Sequence, residues 1–490
     1  MRLNQGSVPA VTPSDSLSAA QRVWPGARRQ WLVLLSLGIG SVMGTMNNTI
    51  VNTSLPVIRE AFGADLSSIE WVMMSYLLAI SVLLPIFGRA GDIWGHKRVY
   101  LVGLGVFVVA STLCSLSPTE GFLIGSRALQ AIGGAALVSN SSAIVSRTFA
   151  PERRGQLLGL LYTIASLGTL AGPSLGGFLA SGFGWRSIFY ANVLLGVLAA
   201  AVSLRILPNP PPSQTREPFD LMGAVSMTIG LGAFLLAISK GQDMGWTSVF
   251  VVACVLTSAV FLAVFMRVEL RLPHPMLDMS LFRIRVFSLA MASAFVTYLC
   301  TYSGLFLAPF YLVQGRGFSP GLAGALYSAQ PLGMLVTTPL GGYLSDRIGS
   351  RVLSTLGALT IGVGLFSLHN LGAESGDVQI LLTMALLGLG NGLFIGPNAN
   401  AVMGSAPLER QGVASGIIAT ARNLGMVFGV ALGGAILALQ MAQRAMTQTD
   451  TQTIFIAAFQ DTFLVMTFIV LIGAAMSLAS GPARKNAAPR

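Results

Sequence analysis

The stretch GRAGDIWGHKR, Gly88 to Arg98, is a short polar segment between two long apolar blocks. A connection this short must reverse the chain, and we assign the conformational freedom that this requires to Gly91 and Gly95. Asp92 then ends one helix, where its carboxylate could lie against the positive N-terminus of a neighbouring helix or pair with a nearby arginine. Such a contact can form in one conformational state and break in another, although a solvated turn of basic residues is the alternative. The residues assigned to this switch loop are Gly88, Arg89, Gly91, Asp92, Gly95, Lys97 and Arg98.

The apolar blocks on both sides of the switch loop indicate an all-α membrane protein. The chain of 490 residues is 53% hydrophobic and 10% charged, whereas soluble domains carry about 25% charged residues. A helix needs about 20 mostly apolar residues to cross a bilayer, and fourteen blocks meet this need. The predicted spans are residues 31–57, 70–90, 99–117, 122–146, 156–180, 185–206, 220–239, 247–266, 287–312, 321–344, 352–370, 379–403, 411–438 and 459–480.

The composition argues against several other classes of protein. The net charge is +11, but the basic residues lie singly between apolar blocks, which disfavours nucleic acid as a partner. Cys114, Cys254 and Cys300 are too few and too scattered for a disulfide framework or a metal site. The three histidines lack nucleophile–base or metal-ligand spacing. We therefore predict no enzyme activity, no metal and no cofactor.

The distribution of basic residues predicts the orientation of the chain. If both termini are cytoplasmic, most Lys and Arg residues fall on the cytoplasmic side, as the positive-inside rule requires. An odd number of spans would separate the termini and remove this bias, which favours fourteen. We expect a multi-pass protein of a bacterial inner membrane. The basic residues expected outside are Arg59, Arg186, Lys240, Arg316 and Arg444.

An internal repeat divides the chain into two similar halves. Moving residues 127–177 forward by 257 positions aligns Glu152 with Glu409 and Gly172 with Gly429 without gaps. Around the switch loop, an offset of 254 positions aligns Asp92 with Asp346. Asp346 and Arg347 therefore belong to a second copy of that loop.

The repeat predicts two parallel six-helix bundles and an inserted two-helix hairpin. In transporters of this plan the substrate is held between the two halves. The predicted regions are a disordered cytoplasmic tail (1–30), an N-terminal bundle (31–207), a linker with helices 7 and 8 (208–285), a C-terminal bundle (286–480) and a cytoplasmic tail (481–490).

Span 5 contains a glycine pattern, SLGTLAGPSLGG, from Ser166 to Gly177. Gly168, Gly172 and Gly176 recur every four residues on one helix face, which lets another backbone approach closely. Pro173 removes a backbone hydrogen bond and is expected to bend the helix. The alternative is a general packing face.

Two arginines and several amides fall inside predicted spans. A cation there is costly and normally faces a cavity or a partner. Arg127 lies roughly 8 Å inside the outer end of span 4 at 1.5 Å per residue, so it could also snorkel. Arg422 lies near the midplane, where the alternative role is to bind helix carbonyl groups. The residues assigned to a coupling or substrate cavity are Asn47, Asn52, Arg127, Gln130, Gln330, Asn391, Asn398 and Arg422, and for each amide interhelical hydrogen bonding is the alternative.

These motifs resemble those of a known transporter family. The switch loop closely resembles the signature loop of the major facilitator superfamily. The glycine pattern, with Gly168, Gly172, Pro173, Gly176 and Gly177, resembles the antiporter motif of its drug exporters. The stretch RALQAIGGAA from Arg127 resembles the family's span-4 motif, whose arginine is associated with proton transfer, although Ala131 replaces the usual glycine.

Beyond residue 30 the chain resembles the fourteen-spanner drug:proton antiporters, the EmrB/QacA type of multidrug exporter. Further matches are NNTIVNTSLP (47–56), WRSIFYAN (185–192) and HPMLDMSLFR (274–283). The resemblance implies two six-helix bundles that rock around a central cavity, with efflux of drugs driven by entry of protons.

One departure from that family affects the predicted mechanism. Asn47 stands where the family usually has an aspartate, and the predicted spans hold no carboxylate near the midplane. Because an amide cannot carry a proton, coupling through the usual residue is not expected. The hypothesis is export of neutral or anionic lipophiles, with Arg422 or Arg127 as the counter-charge.

Three functions remain open at this point. They are a multidrug exporter, a dedicated exporter of a single metabolite or antibiotic, and a transport-inactive sensor or scaffold. The intact motifs and the lack of a soluble signalling domain disfavour the third. The expected partners are a small-molecule substrate, the lipid bilayer and protons, and we expect a monomer, with or without a periplasmic adaptor.

Overall fold

The computed structural model describes residues 27–149, 151–207, 221–270, 280–407, 411–446 and 449–481. These residues form fourteen helical segments and a short 3-10 turn, Leu281–Arg283. The segments are α1 (Ala27–Phe62), α2 (Leu66–Ile69 and Trp71–Trp94), α3 (His96–Ser115), α4 (Glu120–Thr148), α5 (Pro151–Phe183), α6 (Ser187–Ile206), α7 (Leu221–Met244), α8 (Val249–Glu269), α9 (Arg285–Phe310, continued by a π turn, Tyr311–Gly315), α10 (Pro320–Tyr327 and Ala329–Ile348), α11 (Ser350–His369), α12 (Asp377–Ser405), α13 (Gln411–Arg444) and α14 (Thr451–Ala479).

The helical segments agree in number and order with the predicted spans. Among the described residues, eleven helices are long and apolar enough to cross a membrane. Three predicted spans do not meet that standard. Asparagines at 47, 48 and 52 lower the hydropathy of α1, Ser328 interrupts α10, and α7 contributes only the shorter apolar stretch Val225–Gly241. The count of fourteen spans therefore stays a prediction. The predicted tails, apart from residues 27–30 and 481, lie outside the described residues.

Several helices begin at a capping side chain. Thr119, Ser248, Ser319 and Asp450 each accept a hydrogen bond from the backbone N–H three residues later. Such a bond satisfies a donor that the first helical turn leaves free. At Asp450, hydrogen bonds from the hydroxyl and the backbone N–H of Thr453 hold the pKa of the carboxyl group below its usual value.

The switch loop is shorter than the sequence suggested. Gly95 alone separates α2 from α3, with φ = 93°, and Gly349 has φ = 94° at the matching position of the second half. The prediction that Gly91 helps to reverse the chain was wrong, because Gly91 lies inside α2. Close packing around Gly91 leaves no room for a side chain at this position. A methyl group there would lie inside van der Waals contact with Asn140 Oδ1 and His96 Nδ1.

We expect Gly95→Ala to lower the stability of the protein. L-residues rarely adopt a positive φ, and the strain should cost about 1–3 kcal/mol. Gly105→Ala is the matched control, because Gly105 lies inside α3 with no atom within 4 Å of an added methyl group, and alanine should stabilise a helix there by about 0.5–1 kcal/mol. Thermal unfolding of the purified protein would show the difference. Equal unfolding temperatures for the two variants would contradict the assignment.

The pairing of helices repeats with an offset of eight. In the first half, α1 packs on α5 and α6, α4 packs on α2 and α3, and α3 packs on α6. In the second half, α9 packs on α13 and α14, α12 packs on α10 and α11, and α11 packs on α14. α7 pairs with α8 and also contacts α2 and α13. The two sets of six helices thus share one arrangement, and the hairpin lies beside a seam between them.

Candidate functional site

The two halves meet at the end of the molecule where α5 ends and α10 begins, which we call the closed end. A methyl group at Gly177 would overlap the Pro320 carbonyl oxygen, and one at Gly324 would overlap the Pro173 carbonyl oxygen. The backbones of α5 and α10 are therefore in direct contact. α5 packs closely on Pro320–Tyr327 and only slightly on Ala329–Ile348. Most of the contact thus lies at the closed end.

A second seam joins α13 to α2 at the same end. Gly434 lies against the Glu70 carboxyl group, and a methyl group at Gly434 would overlap its Oε2 atom. Gly434 aligns with Gly177 in the sequence repeat. The seam between α2 and α13 is therefore the repeat counterpart of the seam between α5 and α10.

Hydrogen bonds between the halves also gather at the closed end. Asn52 Nδ2 donates to the Leu305 carbonyl at 2.7 Å and to the Tyr327 hydroxyl at 3.0 Å. Arg59 donates to Gln314 Oε1 at 2.8 Å. Between residues 27–207 and 280–481, as far as the structure describes them, the remaining side-chain hydrogen bond joins the hydroxyls of Ser174 and Ser328. Asn52 thus joins the halves in this conformation instead of lining an open cavity.

The glycine pattern of α5 faces α1. Methyl groups at Gly168, Gly172 and Gly176 would overlap atoms of Val42 or Thr45, Thr49, and Thr53 or Ile50 respectively. In the second half, Gly425, Gly429 and Gly433 face Phe295, Leu299 and Ser303 of α9 in the same way. These six glycines pack helices within a half, and Gly177 is the residue of the motif that contacts the other half.

Arg127 lies inside the N-terminal half with 1% of its surface exposed. Its Nε donates to the Val72 carbonyl at 3.0 Å, and Nη1 donates to Asn47 Oδ1 at 3.3 Å and to Gln130 Oε1. The guanidinium carbon lies 4.3 Å from the centre of the Tyr76 ring. Arg127 therefore does not snorkel, because neutral oxygen atoms and an aromatic face hold its charge within the bundle.

The groups around Arg127 form a wider polar network. Asn192 Nδ2 donates to Asn47 Oδ1 at 2.9 Å, and Gln130 Nε2 donates to Ser111 Oγ at 2.8 Å. Among the described residues, no carboxylate pairs with Arg127. Asn47, Arg127 and Gln130 thus come together as predicted site residues, but inside one half and away from solvent. The sequence reasoning did not single out Tyr76 or Asn192, although Asn192 ends the quoted match WRSIFYAN.

The predicted amides of the second half are buried as well. Asn398 donates to the Ala290 carbonyl at 3.0 Å, and Asn391 donates to the Leu387 carbonyl at 3.0 Å and accepts from Thr301. Gln330 is also buried. The hydrogen bonds of Asn391 and Asn398 lie within the C-terminal half, so interhelical bonding, the alternative interpretation, fits both. They do not line an open cavity in this conformation.

Arg422 is the predicted cation that stays accessible. The residue is half-buried, and its Nε atom, which is itself buried, has no hydrogen-bond partner among the described residues. Gly425, one helical turn from Arg422 on α13, lies against Tyr298 of α9. Arg422 is thus a cation near a tyrosine-bearing face of α9.

In the switch loop Asp92 lies near Arg89, one of the two arginines expected to pair with it, and also contacts His96, which was not expected. Asp92 Oδ1 lies 3.3 Å from His96 Nε2, and Asp92 Oδ2 lies 4.0 Å from Arg89 Nη1. The buried His96 also bonds Asn140 of α4 through Nδ1 at 2.8 Å. Lys97 donates to the carbonyls of Leu204 and Leu207 at the end of α6.

The remaining switch residues are more exposed. Arg98 is exposed and, among the described residues, is not paired with Asp92. In the second copy, Arg347 stacks over Tyr343 with 4.5 Å between the guanidinium carbon and the ring centre. The side chain of Asp346 lies outside the described part of the structure.

A groove of about 490 Å³ opens between α9, α13 and α14. Its lining is almost entirely apolar and includes Phe282, Phe295, Leu424 and Met476. Such a surface suits the hydrocarbon part of a ligand or a lipid chain. Arg422 does not line it.

Comparison with known proteins places this geometry in a family. The model of the Major Facilitator Superfamily matches residues 37–220, 220–430 and 289–489. Multidrug resistance protein Stp of Mycobacterium tuberculosis (strain CDC 1551 / Oshkosh) is 34% identical over 413 residues, which is 84% of this chain and 76% of that protein. Riboflavin transporter RibZ of Clostridioides difficile (strain 630) is 30% identical over 447 residues, which is 91% of this chain and 97% of that protein.

A solved structure shows the same fold. It is the inward-facing, occupied conformation of a bacterial homologue of the human lysosomal transporter Spinster, with a TM-score of 0.68 and 14% identity over 93% of this chain and 97% of that chain. The chain therefore belongs to the major facilitator superfamily and is a multi-pass membrane transporter, not an enzyme.

Proposed function

We propose that this protein is a secondary active exporter of small lipophilic compounds that works by alternate closure of its two ends. Residues 31–207 and 286–480 form the two moving bundles. The observation that carries the proposal is the backbone contact of Gly177 and Gly324 at the closed end, with extensive packing of α5 on α10 confined to that end.

The proposed orientation makes this conformation inward-facing. Fourteen spans with both termini in the cytoplasm place the closed end outside and the switch loop inside. The bias of basic residues supports this orientation. The four inter-half hydrogen bonds of Asn52, Arg59 and Ser174 support closure at that end. The protein would then lie in a bacterial inner membrane, as a monomer, with or without a periplasmic partner.

The proposed energy source is proton entry, by antiport. The usual carboxylate of α1 is replaced by Asn47, whose oxygen is engaged by Arg127 and Asn192. Coupling must therefore pass through other groups. Arg127 is a candidate because its charge is buried and its partners are neutral.

The preferred substrates are neutral or anionic lipophiles. Arg422 carries a positive charge and its Nε atom is unpaired among the described residues, while the groove lined by its helix neighbours Ala421 and Leu424 is apolar. A cationic drug would meet repulsion there instead of a carboxylate.

We expect Arg422→Ala to reduce export of an anionic substrate by tenfold or more. A charge-assisted hydrogen bond contributes about 1.5–3 kcal/mol, and each 1.4 kcal/mol corresponds to a factor of about ten. Export of the anion by Arg422→Lys should lie between that of the wild type and that of Arg422→Ala. Proteoliposomes with and without an imposed pH gradient would be tested with a fluorescein-type anion and a rhodamine-type cation, and the exposed Arg205→Ala is the control. Loss of cation export in Arg422→Ala, without any anion export by the wild type, would contradict the proposal.

A dedicated exporter of one metabolite is the second candidate. The similarity to a riboflavin transporter along nearly its whole length favours it. Resistance profiling of a deletion strain against a chemically diverse panel separates the two. Sensitivity to many unrelated compounds indicates multidrug export, and an unchanged profile indicates a single metabolite.

A further inference from the structure

Glu70 is a carboxyl group with 1% exposure that interrupts α2 at the closed end. It lies where three elements meet. Its own helix belongs to the N-terminal half, Gly434 of α13 belongs to the C-terminal half, and Ser239 belongs to the inserted hairpin. Any separation of α2 from α13 would therefore change its surroundings.

The hydrogen bonds of Ser239 suit both protonation states of Glu70. The Ser239 hydroxyl lies within hydrogen-bond distance of Glu70 Oε1 and, at 3.0 Å, of the Ser67 carbonyl, while Trp71 Nε1 donates to it at 3.2 Å. A hydroxyl has one hydrogen to donate and two lone pairs to accept. If Glu70 is ionised, Ser239 donates to it. If Glu70 is protonated, Ser239 can donate to the Ser67 carbonyl and accept from both Glu70 and Trp71.

The repeat shows that the fold does not need a carboxyl group at this position. The offset of 254 residues that aligns the switch loops also aligns Glu70 with Gly324. Gly324 meets α5 backbone to backbone at the other seam, next to Gly177, the counterpart of Gly434. One seam is thus closed by two glycines, and the other by a glycine and a carboxyl group.

We propose that Glu70 is a proton-binding site that favours closure of the seam between α2 and α13. In the closed seam the carboxyl group is buried, and when the seam opens it would reach water on that side. Because burial disfavours the ionised form of a carboxyl group, proton uptake shifts the equilibrium toward the closed seam. This inference rests on the alternate closure proposed above. It adds a proton site outside α1, where Asn47 cannot supply one.

Other charged groups near this seam must be distinguished from Glu70. Lys240 of α7 donates to the hydroxyls of Ser67 and Ser68, and Arg127 of α4 bonds the Val72 carbonyl. Further charged residues at this end include Arg59, Glu60, Asp65, Glu120, Arg186, Arg316, Glu374, Asp377, Asp450 and the Arg444–Asp461 ion pair.

Distance measurements by electron paramagnetic resonance test the proposal. Spin labels at Ala61→Cys and Ala442→Cys, both exposed at the closed end, would be placed in a chain without Cys114, Cys254 and Cys300, in lipid nanodiscs between pH 5 and pH 8. We expect the ratio of closed to open molecules to rise as the pH falls, by up to about tenfold per pH unit for one linked proton. Glu70→Gln should be mainly closed and lose the pH response. The exposed Glu60→Gln is the control and should keep it.

Two results would overturn the inference. If Glu70→Gln keeps the wild-type pH response, the proton site lies elsewhere, while alternate closure stands. A single distance between the labels at every pH, in the wild type and also in Gly177→Val, would show that the closed end does not open. The proposed transport cycle would then fail together with the role of Glu70.

Discussion

Gly177→Val is expected to abolish export while leaving the protein folded. The first methyl group of any side chain at this position overlaps the Pro320 carbonyl oxygen, and the Gly321 backbone lies directly behind it. Overpacking of this kind costs about 1–3 kcal/mol, which shifts a two-state equilibrium about 5- to 150-fold. The closed state would lose that stability. The open state would not, because α5 and α10 are apart in it.

Transport in proteoliposomes and the thermal unfolding temperature together test this result. Gly182→Val is the matched control, because it lies on the same helix with no atom within 4 Å of an added methyl group. Gly324→Val should behave like Gly177→Val, since its methyl group would overlap the Pro173 carbonyl oxygen. Wild-type transport by Gly177→Val would show that this seam does not close during the cycle.

Arg127→Ala is expected to lower both stability and transport. The substitution removes the donor to Gln130 Oε1 and to the Val72 carbonyl, and leaves Asn47 Oδ1 with Asn192 as its remaining donor. Each buried polar group without a partner costs about 1–3 kcal/mol. Arg127→Lys keeps the charge but cannot reproduce the planar donor geometry that reaches three acceptors, so we expect it to recover only part of the loss.

Two readouts separate the structural role of Arg127 from the proposed role in coupling. Thermal unfolding reports the loss of hydrogen bonds, and substrate exchange without a pH gradient reports movement without proton coupling. If Arg127 takes part in coupling, Arg127→Lys should keep exchange and lose the additional transport that a pH gradient drives. The exposed Arg205→Ala should resemble the wild type in every assay. Unaltered stability and gradient-driven transport in Arg127→Ala would refute both roles.

The sequence predicted the helices well because their signal is local. Apolar blocks, Gly95 and the repeat offset are read directly from the chain, and the helix pairing follows the repeat. The glycine spacing of α5 predicted close contact with another backbone. It could not identify the partner, because spacing defines a face of one helix and not what lies against it. Three glycines face α1, and Gly177 alone faces α10.

The partners of the polar residues could not be predicted from the sequence. Asn47, Arg127 and Gln130 were expected in a central cavity, but they bind one another inside the N-terminal half. A polar residue in a span needs a partner, yet the sequence does not say whether that partner is a substrate or another helix. The sequence likewise does not show that His96 forms a hydrogen bond with Asn140, which lies 44 residues away in the chain. Glu70 lies near the end of a predicted span, where a carboxylate is expected to reach water, but it is buried between the halves.

Simultaneous distances at both ends of the molecule test alternate closure most directly. One label pair would be Ala61 and Ala442 at the closed end, and the other Ile93 and Ser415 at the switch-loop end, all four being exposed. The account predicts that Gly177→Val lengthens the first distance and shortens the second in the same molecules. Lengthening of both distances, or a change at one end alone, would contradict it.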